Sequence, residues 1–107
     1  MNEVYTIKVG DKTYGFESPE VLEVWPGERM QKIPWAEPPL CGVLIYRGEV
    51  VPVVTPWQGK MEFIILLQGE KKEKVGVMIP RGIQESRGAP QSGFQCLKAD
   101  TILEEML

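Results

Sequence analysis

Residues 41–54 read CGVLIYRGEVVPVV. Two β-prone apolar runs, residues 43–46 and 50–54, are divided by Arg47-Gly48. Glycine takes positive φ at no steric cost, so Arg47-Gly48 reads as the tight turn of a hairpin. The two runs do not alternate apolar with polar residues; both faces are apolar. Strands of that kind are covered on both sides or line a closed barrel. Pro52 has no backbone N–H to give to a ladder, so its strand lies at an edge or carries a bulge there.

The same reading extends outward. Residues 61–67 form another strand that is apolar on both faces, residues 69–73 a mixed-charge loop, and residues 75–79 the returning strand. Near the start, Tyr5, Ile7 and Val9 alternate with more polar neighbours, the period of a half-buried strand. Gly10-Asp11-Lys12 is a turn signal, and Tyr14 and Phe16 then continue the alternation, which predicts a second hairpin. Ser18-Pro19-Glu20 has serine at an N-cap position and proline at the first helical position, the mark of a helix start. Pro26-Gly27 keeps that helix short, with Val21, Leu22, Val24 and Trp25 as its apolar face or as the start of a strand. Residues 26–42 hold four prolines and read as an extended connection. Residues 80–93, PRGIQESRGAPQSG, read as a mobile loop. Residues 94–99 suggest a last strand, and Asp100-Thr101 a cap for a terminal helix over 102–107. There is no internal repeat. Roughly six to eight short strands with turns every eight to twelve residues predict an all-β barrel or sandwich.

The chain has 107 residues, 43% of them hydrophobic and 25% charged. That is one domain, spanning 1–107, able to build a core without metal or disulfide staples. The eleven glycines and nine prolines fit many short elements joined by turns. Twelve basic against fifteen acidic residues leave a net charge of −3. This argues against a phosphate-backbone binder, which carries a basic face. No apolar run approaches the roughly 20 residues of a membrane helix. The opening MNEVYTIKVGDK lacks the basic and apolar segments of a signal peptide. A cytoplasmic chain with two buried thiols, Cys41 and Cys96, is therefore expected.

Catalytic chemistry has little to draw on. The histidine count is zero, which removes the commonest general base and metal ligand. Glu20 and Glu23 can share a helix face, but their plain reading is a solvated acidic helix start. Gly59-Lys60 is followed by Met61 rather than Ser or Thr, so it is not a phosphate loop. The acids have no EF-hand spacing. No enzyme, metal or cofactor is expected on these grounds. Trp25, Trp35 and Trp57 all adjoin prolines and read equally well as caps of barrel mouths or as binding surfaces.

At GVLIYRGEVVPVV the chain resembles the CheW-like family of chemotaxis coupling proteins. The residues that carry the resemblance are Gly42, Arg47, Gly48, Pro52 and Val53. Tyr14-Gly15-Phe16, Val21-Leu22-Glu23-Val24, Pro34, and the runs 61–67 and 74–78 fall in the family's order, covering residues 4–79. The resemblance implies two small intertwined β-barrels around a shared hydrophobic core, with short helical turns. It implies a non-catalytic adaptor joining the cytoplasmic tip of a chemoreceptor to the regulatory domain of a CheA-like histidine kinase. It also implies partner-binding roles for Val21, Glu23, Gly42, Arg47, Gly48 and Glu49. Thr55-Pro56 stand where the family has an acidic residue and a leucine, and Ile79-Pro80 where it has Val-Asp. The connection at 55–60 and the segment 80–98 are also short, which marks a trimmed member. The competing reading is a small β-barrel binding module for a small ligand or single-stranded nucleic acid.

Overall fold

The computed structural model describes residues 3–57, 59–81, 84–87 and 94–107, with only the backbone described for Glu3, residues 84–87 and Phe94. Strands β1 (Glu3–Val9) and β2 (Lys12–Glu17) form the expected first hairpin, turning at Gly10 with φ of 62°. They are flanked by β9 (Gln84–Arg87), antiparallel to β1, and β10 (Phe94–Cys96), parallel to β2. The second sheet holds β3 (Val21–Pro26), β4 (Gln31–Lys32), β5 (Leu40–Tyr46), β6 (Glu49–Val54), β7 (Phe63–Gln68) and β8 (Lys74–Ile79). Its order is β3-β7-β8-β6-β5-β4.

The apolar character on both faces of the central strands has a direct cause. Ile64 and Leu66 of β7 point into one buried cluster with Leu44, Tyr46, Val51, Val53 and Met78. Ile65 and Leu67 point into the other, with Ile7, Phe16, Val75, Val77 and Ile79. Strands β6, β7 and β8 are therefore a wall between two cores, and each face of the wall is sealed by different elements. Burying one such side chain contributes about 1.5–3 kcal/mol, so a strand that buries both faces is worth twice a half-buried one. The second sheet also curls: Trp25 on β3, at one edge, meets the Tyr46 ring of β5 at 5.8 Å between centroids.

Pro52 is accommodated as expected. Strand β6 pairs with β5 along its length, but with β8 only at Val53 and Val54, so the flank beyond Pro52 is locally an edge. The bulge lies on the neighbouring strand instead, between Leu40 and Gly42, and isolates Cys41.

Several local expectations are corrected. Ser18 does not cap a helix; Ser18–Glu20 is a single 3₁₀ turn preceded by Glu17, without a side-chain cap. Val21, Val24 and Trp25 favour a pleated surface, and pairing with β7 draws them into β3. Glu20 and Glu23 therefore share no helix face. The connection 26–42 contains a 3₁₀ turn, Gly27–Arg29, and the short β4. The loop expected at 80–93 includes β9, because the free edge of β1 accepts a strand there; residues 82, 83 and 88–93 lie outside the described residues. Neither thiol is fully buried as expected: Cys41 is half-buried on its bulge and Cys96 is exposed, and both are free.

The terminal helix α1 (Ala99–Met106) starts earlier than Asp100-Thr101 suggests. Asp100 is inside its first turn and accepts a hydrogen bond from the Glu70 N–H at 3.3 Å. The cap comes from far away in sequence: the Glu20 carboxylate accepts the Ala99 N–H at 2.8 Å. A carboxylate suits a helix N-terminus, where unsatisfied N–H groups concentrate positive potential. Glu20→Ala should cost about 1 kcal/mol, and amide exchange should accelerate first in the opening turn of α1. Unchanged exchange there would refute the capping role. No helix among the described residues is long and apolar enough to cross a membrane.

Candidate functional site

Arg47 and Gly48 form the two-residue connection between β5 and β6, with φ of 49° and 82°. Positive φ at both positions is the type I′ pattern, whose twist matches that of a hairpin. Gly48 takes this conformation freely. Arg47 does not: an L-residue in the left-handed region costs about 1–2 kcal/mol. Asparagine or glycine would sit there more easily, so the arginine is held against a local preference. Gly48→Val should destabilise by at least 1–2 kcal/mol, read as a drop in Tm of roughly 5–15 °C. An unchanged Tm would contradict the turn geometry.

The strained turn stands on a rigid base. The Arg47 guanidinium lies over the Tyr46 ring, 5.3 Å from its centroid. Tyr46 is buried and packs against Trp25, and Arg29 covers the Trp25 ring at 5.3 Å. The result is a stack of arginine, two aromatic rings and arginine, with Arg47 at its exposed end. On the other side of the turn, Glu49 Oε2 pairs with Lys74 Nζ at 3.0 Å. Lys74 is mostly covered while Glu49 is open to solvent, so Glu49 is held by a fixed cation. A cavity of about 270 Å³ opens beside the turn, lined by Leu22, Tyr46, Arg47, Glu49, Gln68 and Lys74. It offers an apolar floor and a charged rim.

The structure brings some of the expected residues together and separates others. Arg47, Gly48 and Glu49 share the exposed tip. The β3 segment reaches the same cavity through Leu22, which is displaced by a register shift between Val21 and Glu23. Glu23 is exposed on β3, whereas Val21 packs against the opposite core. Gly42 is buried toward the far end of β5. A Cβ there would run into the Gln31 carbonyl and crowd Met30 Cγ at 2.8 Å. Its position therefore bears on the tip through β4 and the course of β5. Sequence reasoning missed Tyr46, Trp25 and Lys74 as supports. The all-apolar run 43–46 does not say which way Tyr46 turns, and the Glu49–Lys74 pair joins strands whose parallel register no local pattern reveals. Of the tryptophans, Trp57 packs against Tyr14 at 5.1 Å and Trp25 against Tyr46, while Trp35 is 83% exposed.

Two cores sharing a wall of strands, with a strained Arg-Gly turn standing on one of them, define an all-β domain. The family model for the CheW-like domain matches residues 3–88. The chain belongs to the CheW-like domain family. It is also similar to the solved structure of the scaffolding protein TtCheW from Thermoanaerobacter tengcongensis, with a TM-score of 0.66 at 19% identity. That match covers 88% of this chain and 66% of the other, so this chain spans just under two thirds of that protein's length. At this identity the likeness shows the fold. No curated protein matches the chain.

Proposed function

We propose that this chain is a non-catalytic scaffold of chemotaxis-type signalling. It couples the cytoplasmic tip of a chemoreceptor to the regulatory domain of a CheA-like histidine kinase. One observation carries the reading: Arg47 is kept in the left-handed region, exposed, on a buried aromatic base. Backbone strain retained at an exposed position points to a role that the fold itself does not require. The guanidinium presents its donors in a fixed fork, suited to a partner carboxylate or to backbone carbonyls. Leu22 and Tyr46 supply the apolar floor on which the apolar face of an amphipathic helix rests. Family membership and the likeness to a protein described as a scaffold support the same role. Val21, Glu23, Gly42, Gly48 and Glu49 join Arg47 in it, Val21 and Gly42 by holding β3 and β5 in place. The net charge of −3 speaks against the nucleic-acid alternative.

Calorimetric titration tests the proposal. The chain is titrated separately with a kinase regulatory domain and with a receptor-tip fragment from the same organism. Saturable binding of both is expected. Binding of neither up to millimolar concentrations would refute the coupling role.

A further inference from the structure

The cavity beside Arg47 is built from two groups of residues. The hairpin tip supplies Tyr46, Arg47 and Glu49, and the strands β3, β7 and β8 supply Leu22, Gln68 and Lys74. The second group is anchored from outside the sheet, by the first turn of α1. Glu20, two residues before Leu22, accepts the Ala99 N–H at 2.8 Å. Asp100, the next residue of that helix, accepts the Glu70 N–H at 3.3 Å, two residues after Gln68. Between them stands Gly69, whose N–H closes the β7–β8 turn on the Glu73 carbonyl oxygen at 3.0 Å, just before Lys74. Gly69 is not at positive φ, so its backbone does not require glycine. The requirement is room: a Cβ there would fall on Asp100 Oδ1.

From these contacts we infer that Glu20 and Asp100 are positioning residues of the partner-binding surface. Through them the first turn of α1 holds the two chain segments that lead into Leu22, Gln68 and Lys74. The inference rests on the reading of the Arg47 cavity as that surface. Ala99 and Ile102 are buried in the core beneath α1, so the helix is a fixed anchor. A carboxylate that accepts a backbone N–H makes a charge-assisted bond, stronger than a neutral one. The contacts are continuous from there to the tip. The turn held by Asp100 leads into Lys74, whose Nζ pairs with Glu49 Oε2 beside Arg47. A displaced turn therefore reaches the charged rim through Lys74, and a displaced Glu20 reaches the apolar floor through Leu22.

The test is amide NMR of the whole chain, free and then with a kinase regulatory domain or a receptor-tip fragment. In the free chain, Asp100→Ala should move the amides of Leu22, Gln68 and Lys74. Gly69→Ala should move the same three, because its methyl group pushes the carboxylate aside. Asp100→Asn loses the same charge but keeps an acceptor oxygen, and should leave them near their parent positions. Ile79→Val trims the core at the far end of β8 from Lys74. It lowers stability without touching the anchor, and should leave the three amides in place. Asp100→Ala should weaken partner binding by about fivefold or more, the lower end of coupling between sites, and Asp100→Asn should restore it. Coupling is reciprocal, so a bound partner should slow exchange of the Ala99 and Glu70 amides. The inference fails if Asp100→Ala leaves the three amides unmoved, or if Ile79→Val moves them as far. It fails equally if Asp100→Ala keeps full affinity for a partner that Arg47→Glu weakens, and the coupling role then stands. A parent chain that binds neither partner overturns the reading of the surface instead, while the free-chain amides still decide whether α1 holds the cavity.

Discussion

Ile65→Ala and Leu66→Ala, adjacent on β7, should each remove about 2–5 kcal/mol of stability. Both residues are fully buried. Each truncation opens a void in a different core, because successive strand residues point to opposite faces. Ile65 faces the cluster sealed by β1, β2 and α1, and Leu66 faces the cluster enclosed by the curl of the second sheet. A domain of this size has about 5–15 kcal/mol in total, so either loss is a large share of it. Thermal melting should show Tm reduced by roughly 10–30 °C for each variant. The shared wall carries a sharper expectation. Both variants should unfold in one transition, seen alike by far-ultraviolet circular dichroism and by tryptophan fluorescence. Trp25 reports on one core and Trp57 on the other. A variant in which one signal melts well before the other would show two independently folding halves, against a single domain.

Arg47→Glu should weaken binding of the kinase domain, the receptor tip or both by roughly 10–150-fold, the worth of about 1.5–3 kcal/mol for charged hydrogen bonds. The melting temperature should hardly move, because the exposed contact with Tyr46 contributes only about 0.5–1 kcal/mol. Arg47→Asn separates binding from folding more cleanly. It creates Asn-Gly, a preferred type I′ pair, and relieves the left-handed strain at position 47. This variant should therefore melt no lower than the parent while still losing affinity. A variant that keeps full affinity for both partners would remove Arg47 from the interface. One that melts far lower would show that the arginine is there for the fold.

The sequence discloses the centre of this protein better than its margins, for physical reasons. Residues 63–67 reveal a strand covered on both sides because each residue there is apolar whichever way it points, whereas the same pattern at 43–46 and 50–54 overstates the cover: Ile45 and Val50, beside the hairpin tip, are exposed. That pattern cannot say what covers a strand, and the division into two cores depends on long-range pairing. The turn at Arg47-Gly48 is legible from Gly48 alone. The strain at Arg47 is not, because it arises from the hairpin's twist acting on both turn residues. Ser18-Pro19-Glu20 misleads because its helix-start chemistry is satisfied by a single 3₁₀ turn. Glu20 then caps α1, 79 positions along the chain, a distance no capping rule reaches. The resemblance places the expected contact residues in two groups. Only the structure shows that Leu22, between two of them, is the member of β3 that lines the cavity beside Arg47.

The most direct test of the central claim is an amide NMR titration of the whole chain. A kinase regulatory domain and a receptor-tip fragment are added in separate experiments. The account predicts shifts concentrated on residues 21–24 and 42–49, extending to Gln68 and Lys74, with the far edge of the first sheet unmoved. Shifts that avoid the Arg47 turn, or a spectrum unchanged by either partner, would contradict it.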